Sequence, residues 1–250
     1  MPALADAGFH VVAPFMRGYS PTGPAADGRY DVGALAEDAI NLIDALGASD
    51  AIIFGHDWGA VASYEAAAAA PKRVRKLITA AVPYGPQFFN ALATNYAQQK
   101  RSWYMYFFQS AIAEMAVALN DFAFLEKIWA DWSPQWNWAP EDMEALKQCF
   151  RAPGTLSAAL GYYRATLGPL FRPPSPDAAG GAAAAPRPIE VPAMMLQGRT
   201  DGCIGAELTE GMAAFFPRGL KIEIIDGAGH FVHQEKPEQS NRLILDFLKS

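Results

Sequence analysis

The stretch Ala51-Ile52-Ile53-Phe54-Gly55-His56-Asp57-Trp58-Gly59-Ala60 joins a short apolar run to a small-residue segment. The run 51–55 predicts a buried strand. Residues 60–70 predict a helix, stopped before Pro71. Between them, Gly55-His56-Asp57-Trp58-Gly59 has the form Gly-x-nucleophile-x-Gly. In that form a sharp strand-to-helix turn thrusts the central side chain above a sheet. The glycines let strand and helix pack closely. The central residue is Asp57, where serine would be usual. A carboxylate attacking an ester would make an anhydride. Attacking an sp3 carbon that carries a leaving group, it makes an alkyl ester. Asp57 therefore points to epoxides or alkyl halides, against the plainer reading of a turn aspartate beside a helix start.

Working outward, Phe9-His10-Val11-Val12-Ala13-Pro14 predicts a buried strand over 9–13, and 17–29 a turn-rich loop. Apolar residues recur at helical spacing over 31–46, and Gly47 ends that helix. A strand is expected at 75–82. The rhythm then changes: 84–171 is helical and aromatic-rich, and 173–188 is a low-complexity, loop-like run of Pro, Ala and Gly. Afterwards come a strand at 192–198, a helix at 206–216, a strand at 220–226 and a helix at 237–249. Strands alternating with helices imply a mostly parallel sheet. The helical middle reads as an insertion over the carboxyl ends of the strands, where such sheets bind ligands. This divides the chain into a discontinuous core, 1–83 and 189–250, and a helical cap, 84–188.

Two further residues complete a chemical set. Asp201 follows the strand 192–198, in Gly198-Arg199-Thr200-Asp201-Gly202. His230 follows the strand 220–226, in Asp226-Gly227-Ala228-Gly229-His230. Nucleophile, acid, histidine is a known chain order for such sites. His230 would activate the water that cleaves the ester, and Asp201 would orient the imidazole. His10 and His233 read as structural, and His56 as a support of the turn.

Composition sets the class. Hydrophobic residues make up 51% and charged residues 18% of 250 residues, a globular balance. A net charge of −6 with scattered Lys and Arg gives no electrostatic reason to bind nucleic acid or anionic membrane. No uninterrupted apolar stretch of about 18 residues predicts a membrane span. No leader pattern opens the chain. Cys149 and Cys203 lie far apart and outside metal-like spacing, which reads as reduced and cytoplasmic.

With these motifs in hand, the chain resembles the epoxide hydrolase branch of the α/β-hydrolases along its whole length. His-Asp-Trp-Gly at 56–59 is shared with haloalkane dehalogenases and does not separate the two. The resemblance implies two cap tyrosines above the nucleophile. Tyr104, in Tyr104-Met105-Tyr106-Phe107-Phe108-Gln109, matches the first, and Tyr163, in Gly161-Tyr162-Tyr163-Arg164, the second. Their hydroxyls would stabilise the alkoxide as the ring opens. Tyr106 and Tyr162 are the fallback choices.

The resemblance also implies an upstream hairpin, a strand ending in a His-Gly-x-Pro loop and a helix, about 40 residues that are absent here. The backbone N–H of Trp58 would then be one oxyanion donor, its partner lying in the absent loop. A strand between 9–13 and 51–55 would be missing from the sheet. The implied activity is opening of a small apolar epoxide to a diol, with no cofactor or metal. The alternatives are haloalkane dehalogenation and a shortened, weakly active or inactive ligand-binding homologue; an Asp nucleophile disfavours carboxylic ester hydrolysis. Trp103, Phe107, Phe108, Trp129, Trp132, Trp136 and Trp138 suggest an apolar pocket or simply the core of the cap. A homodimer is left open.

Overall fold

The computed structural model describes residues 1–171 and 186–250, so most of the low-complexity run at 173–188 lies outside the described residues. After α1 (Pro2–Asp6) the chain reaches α2 (Val32–Ala45), β1 (Ala51–His56), α3 (Trp58–Ala69) and β2 (Val74–Ala80). Six helices follow: α4 (Gln87–Thr94), α5 (Tyr96–Arg101), α6 (Trp103–Phe107), α7 (Ala113–Trp132), α8 (Pro140–Arg151) and α9 (Thr155–Leu167). β3 (Ala193–Gly198), β4 (Leu220–Ile225), α10 (Val232–Glu235) and α11 (Pro237–Lys249) complete the order.

The four strands form one parallel sheet in the order β1-β2-β3-β4. In register, His56 lies opposite Ala80, Ala80 opposite Leu196, and Gly198 opposite Ile225. The carboxyl ends of β1, β3 and β4 therefore share one edge of the sheet. Leu77 and Met195 pack with Ala60 and Tyr64 of α3 on one face. Their chain neighbours Ile78, Met194 and Leu196 pack with Ile244 and Phe247 of α11 on the other. That two-residue alternation, apolar on both faces, is what a parallel sheet covered by helices demands. The helices from α4 to α9 gather a separate aromatic core that includes Phe88, Tyr104, Phe108, Phe122, Phe150 and Tyr163.

Several expectations need correction. Residues 9–13 form no strand, and Val12, Ala13 and Pro14 are exposed. An apolar run becomes a strand only where a neighbour pairs with its backbone, and no described strand does so. The same cause leaves β1 half-buried rather than buried: it pairs with β2 alone, and Phe54 is 38% exposed. Strand β2 stops at Ala80, because Ala81 turns to a φ of 68°. The helix expected over 206–216 is two short 3-10 turns, Ala206–Thr209 and Met212–Phe215, divided by Gly211 in a left-handed conformation. Helix α7 is broken at 119–122, where Asn120, Asp121 and Phe122 all take positive φ.

Candidate active site

Asp57 sits at the turn from β1 to α3 with φ 52° and ψ −123°, and caps α3 with its own side chain. A methyl group at Gly55 would overlap the carbonyl of Gly59, so the turn requires glycine at 55. At Gly59 itself an added methyl would meet nothing, so close packing is the work of Gly55 alone. A side chain at Gly198 would likewise collide with the carbonyl of Gly229. The missing side chain there lets the loop carrying His230 close over the end of β3.

The three residues read from the sequence meet at this edge. His230 Nε2 lies 2.8 Å from Asp57 Oδ2, and His230 Nδ1 lies 3.0 Å from Asp201 Oδ2. Asp201 is held from four sides. Its Oδ1 accepts the N–H groups of Cys203 at 2.7 Å and Ile204 at 2.9 Å, and its Oδ2 also accepts Gln197 Nε2 at 3.0 Å. The side chains of His230 and Asp201 are fully buried, whereas that of Asp57 is 25% exposed. The N–H of Trp58 donates to Asp57 Oδ1 at 2.5 Å.

Electrostatics follow from these contacts. Burial alone would lower the pKa of His230, but the charges and hydrogen bonds of Asp201 and Asp57 hold it well above 6.5. Burial would raise the pKa of Asp57, but the hydrogen bond and charge of His230 hold it below its ordinary value. His56 donates through Nε2 to the carbonyl of His230 at 3.0 Å and lies against His233 with ring centroids 4.8 Å apart. Burial presses His56 down to about 4 and His233 to about 3. His56 thus ties the turn to the histidine loop, as the sequence suggested, while His10 is exposed.

Both matched tyrosines lie near this edge; of the fallbacks, Tyr162 also meets Trp58 edge-on at 5.5 Å but turns its hydroxyl away. Tyr104 is 1% and Tyr163 8% exposed, and their rings meet edge-on at 5.8 Å. Tyr163 lies edge-on to Trp58 at 5.0 Å. Burial pushes both phenols well above 10, and the charge of Asp57 adds to each shift. Tyr162 instead donates to the carbonyl of Arg17 at 2.6 Å, and Tyr106 donates to the carbonyl of Leu92 at 3.3 Å. Trp132 faces Tyr104 and His230, whereas Trp129, Trp136 and Phe231 pack on one another.

Three neighbours carried no signal in the sequence. Ser133 accepts the N–H of His230 at 2.9 Å and donates to Glu235 at 2.7 Å; Glu235 in turn accepts the N–H of Gly229 at 2.8 Å. Ser133 is 97 residues from His230, and only the fold brings them together. The third is Cys203, whose sulfur lies 3.2 Å from the hydroxyl of Tyr104. Donor atoms of Asp201, Cys203 and His230 lie within 4.8 Å of one another, a spacing a metal ion could use. The carboxylate and imidazole are already bonded to each other and to backbone N–H groups, which suits an acid–base chain better than an ion.

An aspartate in a strand-to-helix turn, a second aspartate and a histidine past the carboxyl ends of β1, β3 and β4 suit an α/β-hydrolase, and the chain belongs to that family: the alpha/beta hydrolase fold matches residues 1–237. Within the family it is an epoxide hydrolase-like enzyme, as its relatives indicate. It is 32% identical over 251 residues to the AB hydrolase superfamily protein YfhM of Bacillus subtilis (strain 168), covering 99% of this chain and 83% of that one. It is 29% identical over 250 residues to Epoxide hydrolase 4 of Homo sapiens, covering 96% of this chain but only 65% of that relative's length. The Bacillus megaterium epoxide hydrolase in complex with an inhibitor superposes with a TM-score of 0.83 at 27% identity, over 100% of this chain and 88% of that one. A variant of the B. megaterium enzyme, complexed with its product (R)-3-[1]naphthyloxy-propane-1,2-diol, gives the same TM-score at 27% identity over the same shares. Among the described residues, no helix is long and apolar enough to cross a membrane.

Proposed function

We propose that the chain hydrolyses small apolar epoxides to vicinal diols through an alkyl ester on Asp57. The observation that carries this reading is the pair of buried phenols, Tyr104 and Tyr163, packed on each other and on Trp58, next to Asp57 in the chain, and both under the charge of Asp57. A dehalogenating site needs a halide holder; an epoxide site needs acids for a leaving oxygen, and neutral phenols are such acids. Diol formation by the B. megaterium enzyme supports the same product class.

In this reading the helices between 84 and 171 form a cap over a core of 1–83 and 189–250. An epoxide enters with its oxygen toward Tyr104 and Tyr163. Asp57 attacks the less hindered carbon, the carbon–oxygen bond breaks, and the phenols stabilise the alkoxide. The carbonyl oxygen of the new ester is held by the N–H of Trp58, which already donates to Asp57 Oδ1. The ester carries no charge, so His230 loses its charge partner at Asp57, its pKa falls, and the proton it gives up returns to the phenol that protonated the alkoxide. The neutral imidazole then takes a proton from water, and the hydroxide cleaves the ester, while Asp201 holds the ring.

The test is an intact-protein mass measurement with an aryl glycidyl ether. His230→Gln accumulates an adduct of the substrate's mass, Asp57→Ala forms none, and the unaltered chain releases diol. An adduct elsewhere than Asp57 would falsify the ester route. One observation favours a second reading: the indole N–H of Trp58 is buried and makes no hydrogen bond of ordinary geometry, its nearest acceptor being the Tyr163 phenol, which leaves it free to hold a halide. Halide release from bromoalkanes without diol formation from epoxides would select haloalkane dehalogenation. A folded chain that releases neither product would leave the inactive ligand-binding homologue.

A further inference from the structure

Epoxide opening leaves a proton account to settle. The alkoxide formed in the first half-reaction takes a proton from a phenol. The water consumed in the second gives its proton to His230. Over one turnover a proton must therefore pass from the imidazole to the phenol, or both groups end in the wrong state. A phenolate here is costly, because Tyr104 is 1% exposed and burial pushes its ionisation well above 10.

The geometry points to Cys203 as the relay: its sulfur carries one proton per turnover from the imidazole of His230 to the phenolic oxygen of Tyr104. The inference rests on the epoxide reading above. Cys203 Sγ is 3.2 Å from the Tyr104 hydroxyl and within 4.8 Å of a ring nitrogen of His230. It is 1% exposed. In the step, the S–H proton passes to the phenolate oxygen as the imidazolium N–H proton passes to sulfur. One S–H and one N–H bond break, one O–H and one S–H form, and the thiol is regenerated with no redox change. Burial raises the thiol pKa above its ordinary value, which keeps a proton on sulfur at neutral pH. A thiol is also a weak acceptor, so Tyr104 can turn its proton to an arriving epoxide at little cost. Cys149 shares none of this: its sulfur meets the carbonyl of Ser20 at 3.4 Å.

The test uses the full chain with an aryl glycidyl ether, comparing Cys203→Ala and Cys203→Ser. Ester formation in the first turnover is read by rapid quench and intact mass, and kcat by steady-state diol release. Thermal melting of each variant establishes that it folds. Alanine removes the relay, so the first ester forms at a near-normal rate while kcat falls at least about tenfold, the size expected for a lost acid–base group. Serine has an exchangeable proton in nearly the same place and restores kcat to within about threefold. Equal losses in ester formation and kcat would mean a packing role and overturn the relay. So would an alanine variant with unchanged kcat, or a serine variant as slow as alanine. An unaltered chain that forms no diol overturns the epoxide reading itself, an outcome distinct from any difference among the variants.

Discussion

Asp57 holds a backbone conformation that a residue with a side chain rarely adopts, φ 52°, and its carboxylate is fixed by one N–H from Trp58 and one ring nitrogen from His230. Strain of this kind persists only where neighbours over-determine it. Here the neighbours are histidines as well as glycines. His56 and His233 are held neutral, at about 4 and about 3 against an ordinary 6.5. Above pH 6.5 they are neutral both folded and unfolded and cost nothing. As pH falls from 6.5 toward 4, the unfolded chain takes up protons that the folded chain refuses, so stability drops. His230 runs the other way: its raised pKa adds stability below 6.5 that fades as pH rises through the folded value. The urea midpoint is expected to fall between pH 7 and pH 5, and to fall less in His233→Gln. An equal fall in that variant would remove His233 from the account.

At the scale of elements, local chemistry accounts for most boundaries. Helix α2 starts where Asp31 accepts the N–H of Ala34 at 3.1 Å, and Asp31→Ala is expected to cost about 1 kcal/mol in denaturant unfolding. Gly55→Ala forces a methyl into the carbonyl of Gly59. It is expected to lower stability by about 3 kcal/mol, as overpacked sites do, and to abolish activity with it. A variant that melts normally and turns over normally would show that the turn can yield. These features were legible because they depend on residues a few positions apart. The helix expected at 206–216 failed for the opposite reason. Its apolar spacing suits a helix, but Gly205 and Gly211 each open a separate short turn, and the packing of Met212 and Phe216 into the core settles the shape.

At the scale of the molecule, the site is assembled from both layers. Asp57, Asp201 and His230 come from the sheet edge, Tyr104 and Tyr163 from α6 and α9. Ser133, just past α7, clamps the histidine loop through His230 and Glu235. Ser133→Ala removes the hydroxyl shared by the His230 N–H and Glu235, while the N–H keeps the Trp132 carbonyl at 3.2 Å and Glu235 keeps the N–H of Gly229; a lost hydrogen bond of this kind typically costs about 0.5–1.5 kcal/mol. The expected result is a lower melting temperature together with a kcat reduced about tenfold, because the imidazole loses its fixed seat. A loss of stability with an unchanged kcat would confine Ser133 to a structural role.

The amino-acid sequence by itself determined the parallel α/β core, the helical stretch between 84 and 171, the turn at Asp57 and the order Asp57, Asp201, His230. Each is written in short-range patterns: an apolar run, a glycine where the chain must turn, a chemical residue just after a strand. Only the tertiary structure shows that the Tyr106 and Tyr162 hydroxyls donate to the carbonyls of Leu92 and Arg17, while Tyr104 and Tyr163 pack on each other. Adjacent aromatic residues look alike in a helix, and only packing decides which partner each hydroxyl meets. It also decided that 9–13 stays unpaired, that β1 is an edge, and that Ser133 and Cys203 meet the site. Those outcomes depend on contacts between residues far apart in the chain, and no local pattern encodes a contact at that distance.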